Sequence, residues 1–304
     1  PSKASEVTEM NNAIEIQELT KYYGPVRALD GLNLIVRRGE IFGFLGPNGA
    51  GKTTTIRCLL DLIRPSAGRA RVLGIDPQAD PVGVRAKVGY LPGELRLDEN
   101  HSAESILEYL NRLRNGQADR GTVRQLADRL DLDLEQKIKN LSKGNKQKVG
   151  VVQALMHRPA LLMLDEPTSG LDPLMQQEVL KLIAAAKEDG ATVFFSSHVL
   201  SEVQEIAERV GIIRQGSLVE VAETADLIDR SLFRARVQFK ERVDTSVFES
   251  LAGVQVFSHD DGQRLLLQVE GEMDPLIKTL STFPVASFET ERPSLEEVFL
   301  TYYE

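Results

Sequence analysis

The stretch Ile41–Leu60, IFGFLGPNGAGKTTTIRCLL, decides how this chain reads. Ile41, Phe42, Phe44 and Leu45 predict a buried apolar strand, followed by a glycine-rich turn and then a helix. Between them Gly46, Pro47, Asn48, Gly49, Ala50, Gly51, Lys52 and Thr53 fit the P-loop pattern G-x-x-x-x-G-K-[ST] without a gap. Gly46, Gly49 and Gly51 lack a Cβ, so the main chain can close around a phosphate with its N–H groups aimed inward. The free N–H groups of the following helix add partial positive charge at the same place. Lys52 is placed to reach the β- and γ-phosphates, and the Thr53 hydroxyl to join the shell of a Mg²⁺ ion. Thr54 belongs with the same nucleotide-binding set. A plain glycine turn is the bland alternative, and the strand–loop–helix context argues against it.

The chain has 304 residues and a formal charge of −9. That balance argues against non-specific binding to nucleic acid, which draws on phosphates neutralised by Lys and Arg. The length suits one large or two modest domains. The single cysteine, Cys58, excludes an intrachain disulfide. It sits among Ile56, Leu59, Leu60 and Ile63, where a small buried hydrophobe is a simpler reading than a reactive thiol. No apolar run approaches the ~20 residues of a membrane-spanning helix, and no signal-peptide pattern opens the chain. A soluble, cytoplasmic protein is the expectation.

Residues 1–13 are polar and aperiodic and read as a disordered tail or tag remnant, with Met10 a candidate natural start. Ile14 and Ile16 begin an alternating strand. KYYGPVRALDG reads as turn-rich, and Leu32, Leu34 and Val36 return to period two. An antiparallel lead-in to an α/β nucleotide-binding core follows from this order. After the P-loop helix come a short strand in RARVLG and another over Val88–Leu91. From about residue 94 to 157 the pattern turns helical. Ile106, Leu107, Leu110 and Leu113 share one face, and Thr122 with Gln125 forms a capping box ahead of Val123, Leu126 and Leu130. A helical insertion within the α/β core is predicted there.

A helix opens at Asn140-Leu141-Ser142-Lys143-Gly144-Asn145 and ends near His157. Ala160–Leu164 is an apolar strand closing on Asp165-Glu166, and Asp172-Pro173 starts another helix. Ala191–Ser196 is a strand reaching His198. Val199, Val203, Ile206 and Val210 share an amphipathic helix, and GIIRQGSLVE reads as a hairpin. From 221 to 304 the order is strand, helix, two strands, helix, strand and a last helix over Leu295–Tyr303. The β-α-β-β-α-β part predicts a small α+β, ferredoxin-like accessory domain beside the 14–220 core.

The run ending in Asp165-Glu166 has the form of a Walker B element. A strand sets Asp165 beside the P-loop, where it can hold Mg²⁺ directly or through water. Glu166, one residue on, can polarise the water that attacks the γ-phosphate. With these motifs in hand, the chain resembles the nucleotide-binding subunit of an ABC transporter over roughly residues 14–220. The resemblance implies an ATPase core of the P-loop NTPase fold, with ATP and Mg²⁺ as ligands. It implies that Tyr23 stacks on adenine with Val26 nearby, and that Ser142 and Gly144 of the signature Leu141–Asn145 touch the γ-phosphate held by a second copy. It further implies a D-loop at Ser169–Asp172 crossing that dimer interface, and His198 contacting the γ-phosphate. Lys52, Glu166 and His198 would then form the catalytic group. The signature also makes physical sense by itself, since Ser142 and a fresh helix N-terminus form a second anion site.

Two departures qualify the match. Lys143 and Asn145 stand in for a Gly and the Gln of the usual signature, changes similar to those in ABC-2-type exporter ATPases such as anthracycline-type drug exporters. The Q-loop Gln expected after Tyr90-Leu91-Pro92 is missing: Gly93 and Glu94 stand there, so either Glu94 takes over as a Mg²⁺ ligand or coupling works without one. The tail Arg292–Leu300 also resembles ABC-2-type ATPases, and an ordinary amphipathic helix explains it equally well. His259-Asp260-Asp261-Gly262 reads as a hairpin turn sooner than as a metal cluster. His101 and His157 lack partner spacing. Lys137, Lys139, Lys143, Lys146 and Lys148 read as a solvated helical surface before a phosphate-facing one.

The resulting expectation is an ATP-hydrolysing motor that works as a dimer on a separate integral membrane permease, peripheral on the inner face of the cell membrane. The cargo class implied by the resemblance is a drug, lipid or other amphiphile. The alternatives are a soluble ATPase of the same kind acting on ribosomes or DNA, and a module that senses ATP without turnover. The single cassette and the acidic balance weigh against the first, and intact Lys52, Asp165, Glu166 and His198 against the second.

Overall fold

The computed structural model describes residues 11–229, 233–260, 262–269 and 272–291. The chain divides into two compact units after Ala222. In the first, alternation produces strands Asn12–Tyr23 (β1) and Val26–Arg37 (β2), which bury Ile14, Ile16, Leu19, Leu29, Leu32, Leu34 and Val36 on one side. They pair antiparallel through a two-residue turn at Gly24-Pro25, where Gly24 takes a φ of +56°. That positive φ suits the first position of a tight hairpin turn. The segment expected to be turn-rich is therefore mostly strand, with only Gly24 and Pro25 outside it. β1 also starts at Asn12, inside the stretch expected as a tail, because Ala13 is already packed into the core. Ala67–Val72 (β4) pairs antiparallel with the other edge of β1, giving the order β2-β1-β4.

The second sheet carries the P-loop. Its strands are Ile41–Leu45 (β3), Val88–Leu91 (β5), Leu161–Asp165 (β6), Thr192–Ser197 (β7), Arg209–Arg214 (β8) and Ser217–Glu223 (β9), in the order β5-β6-β7-β3-β8-β9. Every residue of β3, β6 and β7 is buried, as expected for parallel strands covered on both faces. β3 pairs parallel with β7 and β8, and β6 parallel with β5 and β7. Within this sheet Phe194 of β7 stacks on Phe42 of β3 at 5.9 Å between ring centroids and meets Phe44 at 5.2 Å. The same cluster takes in Ile14, Leu19 and Leu32 of the antiparallel sheet.

Helices connect the strands. Lys52–Leu59 (α1) follows the P-loop, and Pro81–Lys87 (α2), absent from the sequence reading, is started by Asp80, whose side chain accepts from Gly83 N at 2.8 Å. Ala103–Leu113 (α3), Arg120–Arg129 (α4) and Lys143–Leu155 (α5) lie between β5 and β6. The expected capping box at Thr122 is displaced. Asp119 is the N-cap, accepting from Thr122 N at 2.9 Å and Thr122 Oγ1 at 2.6 Å, so Thr122 sits inside the first turn. A carboxylate at the N-cap satisfies the orphan donors as well as a hydroxyl does. Pro173–Glu188 (α6) and Leu200–Ile206 (α7) complete the unit. Val210, expected on the latter helix, lies buried in β8, since the chain leaves the helix at Ala207.

The second unit contains Thr224–Asp229 (α8), Phe233–Phe239 (β10), Ser246–Glu249 (α9), Val254–Asp260 (β11), Arg264–Val269 (β12), Asp274–Leu280 (α10) and Val285–Glu291 (β13). Its sheet runs β11-β12-β10-β13 with every neighbouring pair antiparallel, the arrangement of a split βαβ motif. Phe239, Phe248 and Phe283 close its core at centroid distances of 5.4 to 6.0 Å. β11 extends to Asp260, so His259-Asp260 belongs to a hairpin arm pairing with β12. The helix read over Leu295–Tyr303 and the Arg292–Leu300 tail lie outside the described residues.

His157, at the end of α5, is half-buried with its Nε2 unpartnered, and burial together with the Arg114 guanidinium lowers its pKa from 6.5 to about 4. The unfolded chain therefore binds more protons than the folded one between those two values, and stability falls as pH drops through that window. A His157→Gln variant is expected to lose less stability than the parent between pH 6.5 and pH 4. Urea denaturation at matched pH values checks this; parallel losses in both chains would refute it.

Candidate active site

The site is assembled where β3, β6 and β7 end. Gly46 leaves β3 so close to Ile213 that a Cβ would collide with that residue's carbonyl. Gly51 has a φ of +114°, and a Cβ there would come within 2.8 Å of Ala28 O. The loop between them is pinned at its ends, by Gly46 N on Ser197 O at 3.3 Å and Gly216 N on Ala50 O at 2.9 Å. Pro47, Asn48 and Gly49 are exposed at its crest, while Ala50 is buried.

Lys52, Thr53 and Thr54 open α1, where backbone N–H groups have no intrahelical partner. Lys52 is buried, and its Nζ donates to Gly46 O at 2.6 Å and Pro47 O at 3.2 Å. Burial lowers its pKa, with the Glu166 and Asp165 carboxylates opposing that shift. Thr53 and Thr54 are half-buried beside it.

Asp165 ends β6 at 1% exposure. Its Oδ2 accepts from Thr53 Oγ1 at 2.7 Å and its Oδ1 from Ser196 Oγ at 2.6 Å. Both partners are neutral donors, so Thr53 and Asp165 present hard oxygens suited to a divalent cation. Glu166 then breaks the extended run with a φ of +51°, a left-handed conformation costing an L-residue about 1–2 kcal/mol. Two sets of contacts hold it there. Its N–H lies 3.2 Å from Ser196 O and 3.1 Å from Ser196 Oγ, and its carbonyl accepts from Gln147 Nε2 at 3.0 Å. The turn aims the Glu166 carboxylate back at the loop, with Oε1 at 3.2 Å from His198 Nδ1 and 3.7 Å from Lys52 Nζ. A carboxylate between an imidazole and a buried ammonium can accept a proton from water and has groups on either side to orient it.

The structure thus brings together Gly46–Thr54, Asp165, Glu166 and His198. Tyr23 and Val26 are 45% and 61% exposed at the β1–β2 hairpin tip. Two residues further along β2, Ala28 and Leu29 border Gly51 and Gly216 of the P-loop edge. Ser142 caps α5, its Oγ accepting from Asn145 N at 3.1 Å. Gly144 lies against Gly170 O, where a Cβ would approach to 2.8 Å.

Glu94 is not brought to this cluster. Its side chain is 77% exposed and pairs with Arg96 at 3.4 Å. The residue that approaches Asp165 is Gly93, where a Cβ would stand 2.9 Å from Oδ2. The backbone turns the Glu94 side chain outward, away from Thr53 and Asp165, so this geometry lends no support to the metal-ligand role expected of it. Ser196, Gln147 and Glu202 were missed from sequence. Glu202, at the start of α7, is buried and accepts from Thr168 Oγ1 at 2.5 Å and Ser197 Oγ at 2.6 Å. Polar residues inside otherwise apolar segments, such as Ser196-Ser197 after Phe194-Phe195, were the available signal.

A glycine cradle at the end of a buried parallel strand, a lysine beneath it, and an Asp–Glu pair across from it define a P-loop nucleotide hydrolase. Comparison with known proteins makes this specific. Residues 29–169 match the family model described as ABC transporter. Bacitracin transport ATP-binding protein BcrA of Bacillus licheniformis is 39% identical over 214 residues, covering 69% of this chain and 70% of that protein. Daunorubicin resistance ATP-binding protein DrrA3 of Streptomyces coeruleorubidus is 34% identical over 301 residues, 95% of each chain. Among solved structures, an ATP binding subunit of an ABC transporter superposes with a TM-score of 0.65 at 28% identity, covering 71% of this chain and 91% of that one. The chain belongs to the ABC transporter family, among its ATP-binding subunits, and is an ATPase serving transport. These relatives side against the alternative of an ATPase acting on ribosomes or DNA.

Because Asp165 is fixed by two hydrogen bonds, a methyl group at Gly93 has no yielding neighbour. Gly93→Ala is expected to lower ATPase activity by ~10-fold or more, the scale of a sub-ångström displacement at a reacting centre. Glu94→Ala is expected to keep parental activity. Steady-state phosphate release checks both; equal activity of the two variants would contradict the placement.

Proposed function

We propose that this chain is the motor of an exporter, in which two copies enclose ATP and drive a separate integral membrane permease from the cytoplasmic face. The observation that carries the chemistry is the Glu166 carboxylate held between His198 and Lys52, beside the Asp165–Thr53 pair. In this reading Glu166 accepts a proton from the attacking water. The water oxygen bonds to the γ-phosphorus as the bond to the β–γ bridging oxygen breaks. Lys52 and the P-loop N–H groups neutralise the charge that moves onto the departing ADP. His198 orients Glu166 and faces the γ-phosphate. Thr53 and Asp165 are the residues that would hold Mg²⁺, and their oxygen chemistry and spacing fit it. When bound, that ion would offset the negative charge of the phosphates.

Tyr23 and Val26, exposed on the hairpin beside the P-loop, are assigned to the adenine. Ser142 and Gly144 are assigned to the γ-phosphate of the opposite copy, since a capped helix N-terminus favours an anion. Among the described residues no helix is long and apolar enough to cross a membrane, and the relatives are named as ATP-binding proteins, so the permease is assigned to another chain. The bacitracin and daunorubicin relatives favour an amphiphilic drug-like cargo, recognised by that permease. The 14–220 region is assigned as the cassette and 221–304 as an accessory domain.

Glu166→Gln is expected to bind ATP with near-parental affinity yet lose ~10²–10⁴ in turnover, the usual contribution of a general base. It should also accumulate as an ATP-bound dimer in sedimentation. Near-parental phosphate release would defeat the assignment. Co-purification of this variant from solubilised membranes should yield a polytopic permease.

Ser142→Arg and Lys52→Ala chains should each be inactive alone and regain only part of the parental activity when mixed, because the mixed dimer contains one sound composite site beside one that carries both defects. A mixture as inactive as its components would mean that two independently working composite sites are not the right model.

A further inference from the structure

We propose that Gln147 is a positioning residue that couples the nucleotide at this chain's signature to its own catalytic carboxylate, Glu166. The inference rests on the reading that Ser142 and Gly144 face ATP held by a second copy. α5 starts at the signature, and residues three apart on a helix share a face. Gly144 and Gln147 are such a pair, and both meet the same turn of chain. Gly144 packs on Gly170 O. Gln147 is 7% exposed, and its Nε2 donates to Glu166 O at 3.0 Å and to Pro167 O at 3.1 Å. Both amide hydrogens are therefore spent on the two peptide groups that follow the catalytic side chain.

The consequence comes from where Glu166 is held. Its N–H is anchored on Ser196 of β7, and its carbonyl on Gln147 of α5. Its left-handed φ is thus fixed from two elements at once. One of them, β7, belongs to the rigid sheet. The other, α5, begins at the residue that would touch the opposite nucleotide. A shift of α5 on binding that nucleotide pulls on the Glu166–Pro167 peptide and turns the carboxylate relative to Lys52 and His198. ATP at one composite site thereby sets the readiness of Glu166 at the other, which is the structural requirement for cooperative hydrolysis.

The bland account is that Gln147 satisfies two buried carbonyls and nothing more. The experiment separates the two. Gln147→Met keeps length and approximate volume but has no donor. Gln147→Asn, an amide one methylene short, serves as the second variant should the first fail to fold. ATPase rates are measured against ATP concentration, with ATP affinity, thermal midpoint and ATP-dependent dimerisation alongside. The parent is expected to give a Hill coefficient approaching ~2, the limit for two sites. Gln147→Met is expected to bind ATP and dimerise as the parent does. Its kcat should fall by ~10–100-fold at little-changed KM, and its Hill coefficient should drop toward ~1. Parental kcat and Hill coefficient in the variant would overturn the proposal. So would a lowered thermal midpoint with unchanged kcat per folded molecule and unchanged cooperativity. A parent that neither dimerises with ATP nor shows cooperativity would instead bring down the two-copy reading, and the coupling with it.

Discussion

The carboxylate of Asp165 is the point on which the rest of the site depends. It is buried at the end of β6, and its two oxygens accept from Thr53 on α1 and Ser196 on β7. A buried carboxylate left without donors costs several kcal/mol, more than a typical single interaction returns. The sheet strand, the P-loop helix and the neighbouring strand are therefore held in one register by a group that tolerates little displacement. Loosening any of the three would expose the others to that cost.

Parallel pairing converts this local anchor into a site. Leu45 stands opposite Ser197 across β3 and β7, and Asp165 opposite Ser196 across β6 and β7. Three strands thus end at nearly one level, and the chain leaves each of them through a functional residue: Gly46, Glu166 and His198. Ligands bind at the carboxyl ends of such sheets because strand ends collect loops from several elements. Here the fully buried strands beneath leave those loops no room to slide. The strain at Glu166 persists because Ser196 and Gln147 hold its peptide groups from both sides.

Much of this was legible in the sequence, and the reason differs by residue. The P-loop and Asp165-Glu166 are contiguous patterns in which each residue type has a fixed mechanical task, so spacing alone carried them. The boundaries of β6, β7 and the split-βαβ strands followed from apolar runs of strand length. The hairpin at Gly24-Pro25 was misread because Tyr, Lys and Pro clustered there suggest a loop, whereas pairing over twelve residues on each side overrides local preference. The cap at Asp119 lost to Thr122 because both offer a side-chain oxygen and only the backbone decides which precedes the helix. Glu94 was chosen for its chemistry, but a side chain's direction after Gly93 is not written in residue type. Apart from the Ser197–Glu202 bond five residues apart, Gln147, Ser196 and Glu202 act through contacts over 19 to 34 residues, and a polar residue in an apolar run does not say which distant group it meets.

Those three residues share a principle that explains the charge pattern of the site. Successive side chains on a strand point to opposite faces, and β7 ends in two serines. Ser196 turns its hydroxyl to Asp165, and Ser197 turns its own to Glu202, which also binds Thr168. Two buried carboxylates are thus satisfied by hydroxyl donors alone, although an Arg or Lys partner would bind each more strongly. Neutral donors fix position without cancelling charge. Cationic partners at Asp165 would have offset the negative field that the proposed divalent ion would meet there. The one ammonium admitted, Lys52, is tied to Gly46 and Pro47 carbonyls and lies 3.7 Å from Glu166, farther than a direct hydrogen bond. Positive charge is kept under the P-loop and negative charge at Asp165 and Glu166, the positions proposed for the cation and the attacking water. In the proposed mechanism, that separation by hydroxyls and backbone carbonyls is what lets one small crevice bind a polyanion and still activate a nucleophile against it.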